Sequence, residues 1–270
     1  MIPHSTTGAS VARLAGTLAL LLQTLWLSPP ALAAGAGAPS GDPALLLKMV
    51  PATEGPELPA ALSGSPGGDS VVIDVGRNVT LPNPADYYAV TRIGIREKAA
   101  RPCVLTLWGR MVDPRYGGEA DRELATFELE RCRGLAGWIE LESAGFPADR
   151  RFVRSLRVCG GRDAAAAYSS FAWEIAGLMV QPGAIAPASA AIEALPDLDS
   201  FTRPECPRQI AASSSAAGWT GWSACPAGQL VTGLRAHYYD NRYLTGLSVR
   251  CKRAAWRMPA SAPVRDVIGY

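Results

Sequence analysis

Short runs of β-branched and aromatic residues punctuate the chain from Val71 onward: Val71–Val75, Tyr87–Arg96, Val104–Arg110, Ala125–Glu130, Phe152–Val158 and Phe171–Val180. Turn residues separate them, and a further segment of the same texture runs over Gln209–Arg253. Short strands at this spacing predict an all-β fold, an antiparallel sheet protein of prism or sandwich type. The pattern is sharpest in the last pair of runs. Leu230–Tyr239 and Arg242–Cys251 flank Asp240 and Asn241, residues that tolerate the positive φ of a two-residue hairpin turn. Pairing the arms around that turn sets Leu234 against Leu247, Thr232 against Val249 and Ala236 against Thr245 on one face. Arg235, His237, Ser248 and Arg250 fall on the other face. A slip of one residue would set apolar side chains against polar ones, so the faces are well specified.

The runs also repeat. Leu230-Val-Thr-Gly-Leu234 returns as Tyr243-Leu-Thr-Gly-Leu247, and Thr91-Arg-Ile-Gly-Ile-Arg-Glu-Lys98 resembles Thr245-Gly-Leu-Ser-Val-Arg-Cys-Lys252, with Phe152–Cys159 a looser copy. The six cysteines follow the repeats. Cys132 to Cys159 and Cys225 to Cys251 have nearly the same spacing, and in both the second cysteine closes a strand. This suggests two related β units stapled by Cys132–Cys159 and Cys225–Cys251, with Cys103–Cys206 joining them. Cys103–Cys132 across a hairpin is disfavoured, because strict alternation would set leucines against Glu128 and Glu130.

Outside the runs the texture changes. Residues 34–70 are rich in Gly, Ala, Pro and Ser and read as a flexible leader, with one apolar island at Leu45–Val50. The expected organisation continues with a first β unit at 71–180, a linker at 181–205, a second β unit at 206–257 and a tail at 258–270. Ahead of the leader, His4 and Arg13 precede an apolar run from Leu14 to Leu27, which Ser28, Pro29 and Pro30 interrupt. The run is short of the ~20 residues that cross a bilayer. Ala31-Leu32-Ala33 supplies a small-x-small cleavage pattern. Residues 1–33 therefore read as a secretory signal cut after Ala33. The expected location is secreted or periplasmic, with no transmembrane segment after cleavage, and an even set of cysteines fits an oxidising compartment.

Composition narrows the function. Of 270 residues 48% are hydrophobic and 19% charged, with a net charge of +2. That excludes a disordered chain and a strongly basic nucleic-acid binder. Lysine is confined to Lys48, Lys98 and Lys252, an arginine bias that suggests a GC-rich bacterial genome. After signal cleavage His237 is the remaining histidine, on the polar face of its strand, where a solvated surface role outweighs a catalytic one. The cysteines lack metal-ligand spacing, and no nucleotide-binding or serine-nucleophile motif appears, so neither metal nor cofactor is expected. Carboxylates remain: Glu128 and Glu130 on one run, and Asp113, Glu119 and Asp121 in one loop, read chiefly as solvated. Carbohydrate recognition needs an aromatic face for a sugar ring and fixed polar groups for hydroxyls. Trp219, Trp222, Tyr238, Tyr239, Asp240, Asn241 and Arg242 offer both around one hairpin end.

One stretch carries a resemblance. Trp219-Thr-Gly-Trp-Ser-Ala-Cys-Pro-Ala-Gly-Gln-Leu-Val-Thr-Gly-Leu234, closing at Gly246-Leu-Ser-Val-Arg-Cys251, resembles a repeat of the vitelline membrane outer layer protein I family. It shares with that family a tryptophan, a Cys-Pro-x-Gly turn, a Thr-Gly kink and a closing cysteine strand. The resemblance implies a β-prism of three sheets, similar in architecture to jacalin-type lectins. Dermatopontin is similar through Cys225-Pro-x-Gly and the polar Tyr238–Arg242 loop, without its acidic signature. Both imply an extracellular, non-catalytic module. The sequence therefore points to a non-catalytic binding module for carbohydrate or another cell-surface polymer. A purely structural envelope protein and a carboxylate-dependent hydrolase are the alternatives.

Overall fold

The computed structural model describes residues 45–52, 60–98, 101–116, 120–133, 138–140, 143–147, 150–162, 173–186, 190–195, 200–201 and 218–257. The stretches expected as a signal at 1–33 and a tail at 258–270 lie outside them. In chain order the strands are β1 (Leu46–Val50), β2 (Ser63–Gly64), β3 (Asp69–Asp74), β4 (Tyr88–Lys98) and β5 (Arg101–Met111). Next come β6 (Arg122–Glu128), β7 (Trp138–Glu140), β8 (Ala144–Gly145), β9 (Arg151–Arg162), β10 (Trp173–Ile185) and β11 (Ile192–Ala194). The last are β12 (Ser200–Phe201), β13 (Gly218–Trp219), β14 (Ser223–Ala224), β15 (Gln229–Tyr239) and β16 (Tyr243–Arg257). All pairings between them are antiparallel.

Three sheets share one plan, a long central hairpin flanked on each arm by short strands. In sheet I the hairpin is β4–β5, with β6 on one arm and β7 and β8 on the other. In sheet II it is β9–β10, flanked by β11 and β12 and by β13 and β14. In sheet III it is β15–β16, and its flanking strands come from the other end of the described chain: β1 and β2 on β16, β3 on β15. Each sheet packs against both others, through β4 with β9 and β15, and β10 with β5 and β16. The result is an all-β, disulfide-stapled antiparallel prism. Its interior takes Ile93, Leu105 and Leu107 from sheet I, Leu156, Val158 and Leu178 from sheet II, and Leu234, Leu247 and Val249 from sheet III. A second apolar cluster, including Leu47, Met49, Val112, Phe152 and Leu230, lies where β5 and β16 end and β9 and β15 begin.

Serines on short strands join the sheets. Ser63 Oγ accepts the amide of Val158 and Ser223 Oγ that of Val249, each at 2.9 Å, tying sheets II and III together. Ser200 Oγ accepts the amide of Gly145 at 2.9 Å between sheets I and II. At the remaining corner β3 runs on into sheet I: Gly76 donates to the Leu124 carbonyl at 2.7 Å. Every one of these bonds satisfies a backbone group that a sheet edge would leave unpaired.

Several sequence expectations change here. The two expected β units and their repeated strands resolve into three sheets around one core. The stretch expected as a flexible leader contributes β1, whose Leu46, Leu47 and Met49 are buried. The stretch expected as a linker contributes the end of β10 and all of β11 and β12. Cys225 and Cys251 are bonded. Cys103 is bonded to Cys132, so neither Cys132–Cys159 nor Cys103–Cys206 forms. The alternation argument against Cys103–Cys132 fails because β6 ends at Glu128. The chain then turns through a 3-10 segment at Glu130–Cys132, and the Leu129 amide bonds to the Cys103 carbonyl at 3.0 Å. The disulfide thus crosses from a strand to a turn, where strand alternation has no force. Cys159 is also disulfide-bonded, and Cys206 lies outside the described residues.

The last hairpin turns where expected but pairs differently. Leu234 faces Val249 and Ala236 faces Leu247, with register shifts between Val231 and Gly233 and between His237 and Tyr238. Thr232 and Thr245 are the extra residues, one on each arm. The displacement from the expected pairing is two residues, and side chains alternate with a period of two. The same residues therefore remain on the inner face.

Candidate functional site

Asp240 and Asn241 have φ of 52° and 50°, and the Arg242 amide donates to the Tyr239 carbonyl at 3.1 Å. Positive φ at both central residues is the pattern of a type I′ turn, and the arms close across it at the Tyr239–Tyr243 pair. Two neighbours brace it. From the turn after β6, Arg131 Nη2 lies 3.0 Å from Asp240 Oδ1 and the Arg131 amide donates to the Asn241 carbonyl at 3.2 Å. Phe127 of β6 packs on Tyr238 with ring centroids 6.0 Å apart.

On the other side runs the segment between β2 and β3. Gly67 has φ of +53°, and a Cβ there would meet the Tyr238 carbonyl oxygen at 2.7 Å, so only glycine lets the segment lie this close. A Cβ on Gly68 would lie 3.6 Å from the Tyr239 ring. His237 Nδ1 lies 3.1 Å from the Pro66 carbonyl and donates to it, fixing the same segment. Burial, assisted by Arg235 and opposed by the Pro66 bond, pushes the His237 pKa below its usual value. The expected surface histidine is thus a half-buried anchor. Tyr239 is 42% exposed and is the one exposed large apolar side chain among the described residues. The tip thus presents the Tyr239 ring beside the exposed Gly68, and the half-exposed Asp240 paired with Arg131.

Trp219 and Trp222 do not join that surface. They border sheet II, half-buried, where the Arg157 guanidinium of β9 lies 5.3 Å from one ring and 4.7 Å from the other. Thr220 Oγ1 is 2.6 Å from Ser63 Oγ, and Ser63 pairs with Leu247. Tyr243, at the foot of the turn, is four residues along β16 from Leu247, roughly 13 Å at strand rise. The seven residues grouped by sequence therefore divide. Tyr238, Tyr239, Asp240, Asn241 and Arg242 form the tip, and Trp219 and Trp222 belong to a separate patch. Gly67, Gly68, Phe127 and Arg131 complete the tip and escaped sequence reasoning. The Gly67-Gly68 pair was the available signal, set in a stretch read as leader.

The carboxylates have structural duties. Asp121 takes Arg110 Nε at 2.9 Å on Oδ1 and the Thr91 hydroxyl at 2.8 Å on Oδ2. Arg110 also reaches the carbonyls of Phe146 and Pro147. Asp113 accepts the Leu47 amide at 3.0 Å and three nitrogens of Arg115 at 2.7–3.0 Å. Glu130 sits in the 3-10 turn beyond β6, so it does not share a strand face with Glu128. Glu119 lies outside the described residues. A pocket lined in part by Arg110, Asp113, Arg150 and Phe152 holds about 30 Å³, room for a water or two and not for a sugar ring. Among the described residues no group of three His, Cys, Asp or Glu could hold a metal ion.

Burial alone would raise the Asp113 carboxyl, but the Arg115 guanidinium and the Leu47 and Arg115 amides outweigh it and hold it below the usual carboxylate range. A general acid needs the opposite shift. A depressed carboxylate adds stability above its unfolded pKa of about 3.9 and loses that contribution as pH falls through the lower folded value. Urea unfolding of wild type should therefore weaken more steeply below about pH 4 than that of Asp113→Asn. Equal slopes for the two proteins would remove Asp113 from the account of acid stability.

No protein-family model matches the chain, and no curated protein matches its sequence. Similar solved structures include Calystegia sepium agglutinin, at TM-score 0.37 and 9% identity, covering 76% of this chain and 100% of that one. A single-chain recombinant jacalin aligns at TM-score 0.37 and 7% identity, covering 73% and 95%. Frutalin from Artocarpus incisa aligns at 0.35 and 7%, covering 76% and 99%. These are jacalin-like β-prism lectins. Likeness at this level carries no residue role across to this chain.

Proposed function

We propose that the protein is a non-catalytic carbohydrate-binding module whose site is the β15–β16 hairpin tip. The observation that carries the reading is Tyr239, an exposed ring beside the Asp240–Asn241 turn and the one exposed large apolar side chain among the described residues. A flat, fixed aromatic surface binds the apolar face of a pyranose at low conformational cost. Asp240 and Asn241 offer oxygen acceptors and an amide donor for hydroxyls, while Arg131 holds the Asp240 carboxylate in place. The arginine partners of Asp113 and Asp121 disfavour the hydrolase reading, since both carboxylates are committed to holding the fold.

A glycan array probed with the mature protein tests this. Wild type should bind a subset of glycans, and Asp240→Ala/Asn241→Ala should lose that binding while keeping its thermal unfolding midpoint within a few degrees. No bound glycan in a folded wild-type sample would favour a purely structural envelope protein. We further propose export, with processing after Ala33. The intact mass of the secreted or periplasmic protein should begin at Ala34, and a mass retaining residues 1–33 would contradict it.

A further inference from the structure

Sheet II carries a second group of outward side chains, built almost entirely from hydrogen-bond donors. Arg157 points outward because its neighbours Leu156 and Val158 are buried in the core. Its Nε and Nη2 lie 3.3 and 3.2 Å from the Met179 sulfur, a weak acceptor. Arg110, Arg115, Arg131 and Arg250 each face an aspartate. Arg157 has no carboxylate partner among the described residues. Instead its cationic carbon lies over the rings of both Trp219 and Trp222.

One step along the same face, Ser155 donates to Gln181 Oε1 at 3.0 Å, which leaves the Gln181 amide N–H₂ as a donor one ladder step from the Arg157–Met179 pair. Indole N–H groups only donate as well. A half-buried guanidinium against apolar walls is poorly hydrated, and its fork of N–H groups matches a carboxylate. Arg157, Gln181, Trp219 and Trp222 all keep partial solvent exposure, and the backbone flanking the tryptophans is uncrowded: a Cβ built on Gly218 or on Gly221 meets nothing within 4 Å.

We propose that Arg157, Gln181, Trp219 and Trp222 form a second binding site, for a carboxylate-bearing sugar unit of an acidic polysaccharide. The carboxylate takes the remaining N–H groups of Arg157 and the amide of Gln181, and an indole face packs on the pyranose ring. The site is separate from the hairpin tip and does not rest on the reading given for it.

Calorimetric titration with oligogalacturonate tests the proposal. A neutral glucan oligosaccharide of equal length, a sulfated oligosaccharide and polyglutamate serve as comparison arms. Wild type should bind oligogalacturonate more tightly than all three, and more weakly as salt is raised. Arg157→Gln should weaken that binding about tenfold or more, the scale of a lost charge-assisted pair. Gln181→Leu leaves the cation–π contacts intact, so it should weaken binding, with only a modest fall in unfolding temperature from the Ser155 hydroxyl that loses its acceptor. Tyr239→Ala should leave it unchanged, so failure of the hairpin-tip reading would show separately, on neutral glycans. The proposal is overturned if oligogalacturonate binds no better than the neutral glucan. It is overturned equally if the sulfated oligosaccharide or polyglutamate binds as tightly, or if Gln181→Leu and a folded Arg157→Gln bind like wild type.

Discussion

Asp121→Ala should cost about 3–5 kcal/mol of unfolding free energy, the scale for removing one partner of a buried ion pair. The side chains of Arg110 and Asp121 are 7% and 6% exposed, with the Arg110 Nη2 to Asp121 Oδ1 distance 2.8 Å. Truncation leaves the guanidinium buried without its counter-ion and the Thr91 hydroxyl without its carboxylate. Arg110 cannot discharge by losing a proton, so the cost falls on the fold. The consequence reaches beyond one strand. Arg110 lies on β5, Thr91 on β4, and the Phe146 and Pro147 carbonyls follow β8, so the network ties sheet I across its width. Denaturant unfolding monitored by tryptophan fluorescence measures the loss. A cost below about 1 kcal/mol would place the pair with exposed, screened bridges instead.

Replacing Cys225 and Cys251 together by serine should cost roughly 3.5 kcal/mol, from the loop-closure entropy of a 26-residue separation. The loop enclosed runs from β14 of sheet II through the whole of β15 to the middle of β16 in sheet III. The bond therefore constrains the segment that carries the hairpin tip. Val231 pairs with Cys251, and Cys225 donates its amide to the Arg154 carbonyl at 3.0 Å, so backbone bonds from two sheets converge on the disulfide. The oxidised double variant should unfold at a lower denaturant midpoint than oxidised wild type and at a higher one than fully reduced wild type, which also loses Cys103–Cys132. A variant as stable as the oxidised wild type would contradict the assigned role.

Local features were the most legible in the sequence. The Asp240-Asn241 turn is fixed by two adjacent residues that tolerate positive φ, and it forms where the sequence placed it. The inner face of the same hairpin was legible for a similar reason, since alternation survives a displacement of two residues. The register itself was not, because the extra residues Thr232 and Thr245 are absorbed by packing against neighbouring strands. Cys103–Cys132 is disfavoured only when strand alternation is extended past Glu128, where nothing short-range announces the 3-10 turn. β1 was hidden because its apolar side chains meet partners at the opposite end of the described chain. Long-range pairing of that kind also hid Arg157 against the tryptophans and Arg131 beside Asp240. Trp219 and Trp222 are near the hairpin in sequence, but β13 and β14 pair with β9. Sequence proximity therefore grouped residues that the sheets separate.

The central claim is that Tyr239 is a sugar-stacking platform. Its most direct test is the affinity of wild type, Tyr239→Ala and Tyr239→Phe for the glycan that binds best on the array, measured by titration calorimetry. Stacking needs the ring and not the hydroxyl, so Tyr239→Phe should retain most of the affinity while Tyr239→Ala loses about tenfold. Equal affinity for wild type and Tyr239→Ala would contradict the account.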